Sequence, residues 1–239
     1  MQEGIFYRTE LLIGREALAK LAAAKVAVCG LGGVGSYTAE ALARSGVGLL
    51  RLIDHDCFTP SNINRQLTAL HSTIGLPKAE VTAARVKEIN PDCRVEAEKR
   101  FIDQGTAASL LEGMDCVADA IDFVPGKIAI IKYCRENGVP VISSMGTGNK
   151  LYPERLHLGD IWQTQGCRLA RSVRQKLREA GVTDGVTVVY SEEPPWPGLT
   201  QAEEGGRPIT ASMVFVPAAA GLLLASAVVR SLLGIKMTV

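Results

Sequence analysis

The chain lacks several features that would otherwise set its class. Its six cysteines, Cys29, Cys57, Cys93, Cys116, Cys134 and Cys167, are scattered over 239 residues, and no two stand three apart. That excludes CxxC zinc knuckles, and so a structural zinc site of that kind, and fits reduced thiols in a cytoplasmic protein. His55, His71 and His157 are the only histidines and show no metal-ligand spacing. Neither sign of charge dominates, with 26 basic against 25 acidic side chains, so a polyanion has to be met by a local patch. The amino terminus, with Glu3 and Glu10 and no long apolar run, does not resemble a secretory signal, and no repeat or low-complexity tract is present.

Long apolar runs are also scarce. The stretch from Ser212 to Gly234 is long enough to raise a membrane reading. Pro217, Gly221, Ser226 and Arg230 interrupt it, and the preferred reading is a helix buried in a sheet or dimer core. Apolar residues make up 47% of the chain, and a chain of this length buries roughly 70–75% of its unfolded surface without staples. We expect one domain over 1–239. Its core spans about 9–150, a crossover with a basic helix about 151–210, and an apolar carboxyl-terminal segment 211–239.

Apolar strands alternate with helical stretches. The pattern predicts strands at Lys25–Cys29, Leu49–Asp54, Arg94–Glu98, Asp115–Ile121 and Val139–Ser144, with helices at Ser36–Ser45, Thr106–Leu111 and Lys127–Asn137. Pro77 fits the first turn of a further helix, in which Ala79, Ala83, Val86 and Ile89 form one buried face before Asn90-Pro91 ends it. Further on, Leu156–Trp162 and Val186–Tyr190 read as strands flanking a helix over Arg168–Ala180, and Glu192–Pro208 as a mobile lid or crossover. The alternation predicts an α/β fold, a Rossmann-like, doubly wound, mostly parallel sheet with helices on both faces.

Gly30-Leu31-Gly32-Gly33-Val34-Gly35-Ser36 joins the first strand to the first of these helices. Gly30 permits the tight turn, Gly32 lets the backbone approach a phosphate, and Gly35 lets helix and strand pack closely. Asp54, at the end of the next strand, is placed to accept bonds from ribose hydroxyls. The fingerprint alone suits NAD, FAD or ATP. The following block, Asp54-His55-Asp56 through Asn62-Ile63-Asn64-Arg65-Gln66, with Lys78 beyond it, changes the ranking. Arg65 offers a planar fork and Lys78 a point charge, which three phosphates need and a dehydrogenase does not. Asp122, at the carboxyl end of its strand, is a candidate magnesium ligand. Together these groups would neutralise a leaving pyrophosphate.

These motifs, with Gly75-Leu76-Pro77-Lys78 and Asp119-Ala120-Ile121-Asp122, closely resemble the ThiF/MoeB/HesA superfamily from about Thr9 to Met145. The resemblance implies that ATP activates a carboxylate as an acyl adenylate, with Gly32, Asp54, Asp56, Asn62, Arg65, Lys78 and Asp122 as the matching ATP positions and Gly30, Gly33, Gly35 and Gln66 beside them. Sulfur-carrier activators of this superfamily usually carry two CxxC pairs, which this chain lacks. Arg8–Gly14, Ala39–Gly48, Asn90–Cys93 and Ser144–Lys150 instead resemble the branch that dehydrates threonylcarbamoyladenosine beside the tRNA anticodon to a cyclic derivative. That resemblance implies ATP and magnesium, a possible monovalent cation, modified tRNA as substrate, a homodimer in which Arg8 reaches the partner's triphosphate, and possible sulfur-transfer partners. The alternatives are an activator of a ubiquitin-like sulfur carrier and a nucleotide sensor without turnover.

Two further features bear on that expectation. Cys167 stands where related activating enzymes place a crossover cysteine, although a free cysteine is as readily a small buried hydrophobe. Some members of the branch carry a candidate cysteine near the position of Tyr190, which this chain lacks. After Cys167, Arg168, Arg171, Arg174 and Arg178 share one helix face opposite Leu169, Val173 and Leu177. Such a stripe suits a tRNA backbone or is simply a solvated face. His71 lies close enough in sequence to the Arg65 turn to reach a nucleotide, and Trp162 and Trp196 are candidates for stacking a base.

Overall fold

The computed structural model describes residues 4–198, 203–204 and 207–235. Two short helices lead, α1 (Tyr7–Ile13) and α2 (Arg15–Ala23), parted at Gly14 by a φ of 82° that L side chains rarely adopt. The chain then alternates through β1 (Lys25–Cys29), α3 (Gly35–Arg44), β2 (Leu49–Ile53), α4 (Lys78–Ile89), β3 (Arg94–Glu98), α5 (Ala107–Leu111), β4 (Cys116–Asp119), α6 (Val124–Glu136) and β5 (Val141–Ser144). Beyond these come β6 (Leu156–Asp160), α7 (Arg168–Glu179), β7 (Thr187–Ser191), the short pair β8 (Glu203–Glu204) and β9 (Arg207–Pro208), and α8 (Phe215–Leu233).

Seven strands form one sheet in the order β3-β2-β1-β4-β5-β7-β6, parallel except for the antiparallel edge pair β6 and β7. Parallel strands covered on both faces need apolar residues on both, and β1 supplies them. Val26 and Val28 pack with Leu42 of α3, Val86 of α4 and Leu224 of α8 on one face. Ala27 and Cys29 join Leu110, Leu111, Ile130 and Val173 from α5, α6 and α7 on the other. The expected doubly wound α/β sheet is therefore observed, and residues 156–191 extend the same sheet.

Several boundaries differ from expectation for physical reasons. The fourth strand stops at Asp119 rather than Ile121, because the Asp119 carboxylate accepts the Ile121 N–H (3.2 Å) and turns the chain. The sixth stops at Asp160 rather than Trp162, because Asp160 accepts the Trp162 N–H (2.9 Å) and caps a short turn. Pro77 sits just before α4 rather than inside it. Neither α1 nor α2 was expected. Of the loop Glu192–Pro208, residues 199–202 and 205–206 lie outside the described residues, as do 236–239 of the apolar tail. The described part of that tail, α8, is long and apolar enough to cross a membrane. Instead it lies against α3, where Thr38 Oγ1 donates to Gly221 O at 3.1 Å.

Candidate active site

β1 pairs with β2 on one side and β4 on the other, so the strand order reverses at β1 and a crevice opens beyond the carboxyl ends. The cavity there is about 420 Å³, within the range of small-molecule sites. Gly30 enters its floor at φ 83°, with its N–H donated to Ile53 O at 2.8 Å. Gly35 opens α3 so close to the strand that a Cβ would fall 1.7 Å from Gly30 O. A Cβ on Gly32 would meet Gln66 Nε2 at an ordinary contact distance of 3.8 Å. No side chain caps α3; its Ser36 and Thr38 N–H groups already donate to Gly32 O and Val34 O at 3.1 Å, so an anion would be met by the N–H groups of the glycine loop ahead of them.

The acid beyond β2 is pinned. Asp54, 8% exposed, accepts the Leu31 N–H through Oδ2 (2.7 Å) and the Asp56 N–H through Oδ1 (2.9 Å). Each oxygen keeps a second lone pair for a ribose hydroxyl. The buried Lys78 ammonium lies 2.9 Å from Asp56 Oδ2, and His55 Nε2 lies 3.2 Å from Asp56 Oδ1. Lys78 is thus held in place by a carboxylate that shares the cavity wall, rather than extended into solvent.

The turn after Thr59 shapes the facing wall. Asn62, buried, accepts the Thr59 N–H through Oδ1 at 3.2 Å. Arg65 is half-buried, and its Nη1 donates to Ser61 O (2.8 Å) and Asn64 Oδ1 (2.9 Å). Gln66 is buried against the cavity with Oε1 lacking a partner among the described residues, an orphan that a bound hydroxyl or amino group would satisfy. Asp122 stands exposed on the opposite rim. Open glycine backbone, two cations, a ribose acid and an orphaned amide oxygen fit a nucleotide polyphosphate, and the exposed Asp122 carboxylate is of the hard-oxygen type magnesium takes.

The cavity therefore collects Gly30, Gly32, Gly33, Asp54, Asp56, Asn62, Arg65, Gln66, Lys78 and Asp122, with Gly35 behind it as the packing glycine. It does not collect Arg8, which is exposed on α1, or His71. Cys167 is buried at the start of α7, and its Sγ accepts the Ala170 N–H at 3.5 Å. It stands behind the wall, 3.3 Å from where a Gly146 Cβ would lie. Of the arginine stripe, Arg168 and Arg171 are exposed and Arg178 covers the Trp162 ring at 4.9 Å. Arg174 is half-buried and donates to Thr164 O (2.9 Å), Ile161 O and the Thr164 hydroxyl. Through that one nitrogen it braces the turn before α7. Trp196 packs beside Tyr152, with centroids 6.4 Å apart.

Residue reasoning missed part of the wall. Ser144, Met145, Gly146, Thr147 and Gly148 line the cavity, and their segment had carried only a resemblance. Buried Lys150 and Glu193 fasten that segment. Lys150 Nζ donates to the Glu193 and Ser191 carbonyls, while the Glu193 carboxylate accepts the Leu151 and Tyr152 N–H groups at 2.7 and 2.9 Å. Burial lowers the Lys150 pKa, with Cys167 and Glu193 opposing. Beneath the crevice, Lys127 Nζ reaches Asp119 Oδ2 (2.9 Å), Ser143 Oγ (3.1 Å) and Ser144 O (2.8 Å), with both charged side chains fully buried. The sequence signal was a lysine in the apolar run Gly126–Cys134.

An open α/β sheet with a glycine-built anion cradle and a cation pair at its switch point is the architecture of a nucleotide-binding enzyme. The chain belongs to the ThiF family, whose model matches residues 7–239. It is 43% identical over 242 residues to the tRNA threonylcarbamoyladenosine dehydratase of Bacillus subtilis, covering 95% of this chain and 94% of that one. Its structure is similar to that of the Escherichia coli tRNA N6-threonylcarbamoyladenosine dehydratase in complex with AMP. The TM-score is 0.89 at 34% identity over 98% of both chains. The same enzyme in complex with ATP gives 0.87 at the same identity and coverage.

Proposed function

We propose that the chain is an ATP-dependent dehydratase of threonylcarbamoyladenosine in tRNA. The observation that carries this reading is the convergence of the glycine loop, Asp54, Arg65, Lys78 and Asp122 on one crevice, in a chain that matches dehydratases over nearly its whole length. The substrate carboxylate attacks the α-phosphorus and pyrophosphate leaves, its charge met by Arg65 and Lys78; Asp122 would hold a magnesium ion, which would supply further positive charge there. The carbamoyl group of the same substrate then attacks the activated carbonyl, and AMP departs with one carboxylate oxygen. Because the second nucleophile is already attached, effective molarity takes the place of a catalytic thiol. The burial of Cys167 behind the wall suits that route.

The reading extends to assembly. Among its described residues α1 buries none, and Ile5, Tyr7, Leu11 and Leu12 around it are exposed, as suits a helix that a second copy covers while Arg8 reaches the partner's phosphates. Arg168, Arg171 and Arg178 are the exposed cations offered to the tRNA backbone, and the working compartment is the cytoplasm.

The test is nucleoside mass spectrometry after incubating the protein with ATP, magnesium and tRNA carrying threonylcarbamoyladenosine. The modified nucleoside should lose one water, with AMP released in step, and Arg65→Ala should abolish both while leaving the fold intact. Full turnover by that variant removes Arg65 from the site. ATP–pyrophosphate exchange that requires a small protein ending in Gly-Gly would replace this reading with carrier activation.

A further inference from the structure

A second hollow of about 480 Å³ lies against the nucleotide cavity. Phe101 and Phe123 line both spaces, so the two rings form a shared wall, and Val124, Ile128, Gln104 and Lys176 complete the outer side. The rings are unusually bare, Phe101 41% and Phe123 44% exposed. They are also ordered into a shelf. His55 meets Phe101 edge-on at 4.8 Å between centroids, and Phe101 meets Phe123 at 5.3 Å. The shelf thus runs from the loop after β2, past the end of β3, to the start of α6, along the mouth of the crevice.

We propose that this hollow seats an unpaired nucleobase of the tRNA anticodon loop, the neighbour of the modified adenosine, stacked on the outer face of Phe123, with the Phe101 ring, tilted 52° to it, closing on the base's edge. The proposal rests on the tRNA reading above and adds where the loop is held. A dehydratase of this kind must deliver a nucleoside side chain to the α-phosphorus inside the cavity, so the next nucleotide has to lie at the cavity's rim. Unpaired loop bases are recognised by stacking on aromatic faces, with cations taking the phosphates. Here Arg100 lies at the cavity side of the shelf and Lys176, ion-paired with Glu179 at 2.7 Å, at the hollow side, both exposed. Asp103 also lines the hollow, with its Oδ1 accepting from Gly105 N, Thr106 N and Thr106 Oγ1 and so bracing its own loop. Gln104, exposed, is left to meet a base edge. Lys176 also places the pocket side of α7 at the RNA, so that binding would not depend on the arginine stripe alone.

The experiment measures binding of a fluorescent anticodon stem-loop carrying threonylcarbamoyladenosine to the full chain, with each flanking nucleotide either intact or abasic. Phe123→Ala should weaken binding about tenfold, and one abasic position should weaken wild-type binding by a similar factor. Combining the two should cost no more than either alone. Phe123→Tyr should retain binding and Phe123→Leu should not, since volume without a π-face does not stack. Loss of ATP affinity with RNA affinity intact would assign the rings to the nucleotide itself and overturn the proposal, as would effects that multiply or rescue by leucine. A wild type that dehydrates tRNA while Phe123→Ala binds normally sinks the stacking alone. A wild type that neither binds the loop nor dehydrates it sinks the tRNA reading as well.

Discussion

Lys127 carries its charge where no water reaches it. Its ammonium is shared among Asp119, Ser143 Oγ and Ser144 O, and Ser143 also donates to Asp119 at 2.5 Å. These bonds tie the end of β4, which leads to Asp122, to the end of β5, which leads to the Ser144–Gly148 wall. Removing one partner of a buried pair leaves the other uncompensated, so Lys127→Met should destabilise the protein by about 3–5 kcal/mol in urea unfolding. Lys127→Met with Asp119→Val should recover part of that loss, because the orphaned charge is gone. A single variant within ~1 kcal/mol of wild type would show that the pair does not hold the strand ends. At this scale the residues that line the cavity were legible because glycine spacing, Asn62-x-x-Arg65 and Lys78 lie in short stretches whose chemistry is local. Lys127 was not, since a lysine within an apolar helix reads the same whether it points inward or snorkels. Arg174 misled for the same reason, its face being polar in pattern but tied to carbonyls in fact.

Among the elements, α8 does more than cover the sheet. Gly221 lets it approach α3 so closely that a Cβ would meet Val34 O at 2.4 Å and Tyr37 Cβ at 2.9 Å. Four residues earlier Pro217 backs the phosphate loop, its Cβ 3.1 Å from where a Gly33 Cβ would stand. Gly221→Ala should therefore cost about 1–3 kcal/mol of stability by overpacking and weaken ATP binding as well, through the shifted Pro217. Calorimetry of ATP binding beside thermal unfolding separates the two effects. Unchanged ATP affinity in a destabilised variant would uncouple helix from loop. The run Ser212–Gly234 was expected as a buried helix; the structure has a helix there that buries Val216, Ala220, Leu224 and Val228 and leaves Phe215 and Leu222 exposed, while β1, α3 and β2 were found near their bounds because glycines mark the turns between them. By contrast, α1 buries no residue and has no side-chain cap at Phe6, so neither periodicity nor a start signal marks it.

For the molecule as a whole, the scarcity of accessible thiols sets a limit on alkaline stability. Cys29, Cys93, Cys116, Cys134 and Cys167 are buried and only Cys57 is partly open. Burial pushes the Cys116 and Cys134 thiols up to about 12 from an ordinary 9.0. Burial, with the Asp119 charge beside it, raises Cys29 well above the same value. An acid whose pKa is raised on folding keeps its proton in the native state when the unfolded chain has lost it. The unfolded state then binds fewer protons, and stability falls as pH rises. The window opens near 9, where unfolded thiols ionise, and for Cys116 and Cys134 closes near 12. Each such thiol contributes a slope approaching ~1.4 kcal/mol per pH unit. Tyr133 and Tyr190, whose pKa values burial also raises, act in the same direction. Lys150 acts against them, because its burial-lowered pKa lets the native state release a proton that the unfolded chain retains up to 10.5. Burial raises Cys93 too, and four thiols outweigh one lysine, so urea unfolding should show little change from pH 7 to 8.5 and a steep loss from 9 to 10.5. Cys134→Ala should remove its share of the slope. Native alkylation at pH 8 should modify Cys57 first, the others reacting only on unfolding. A stability that stays level to pH 10.5, or a Cys116 that alkylates as fast as Cys57, would show that the sheet core admits solvent and does not hold its thiols protonated.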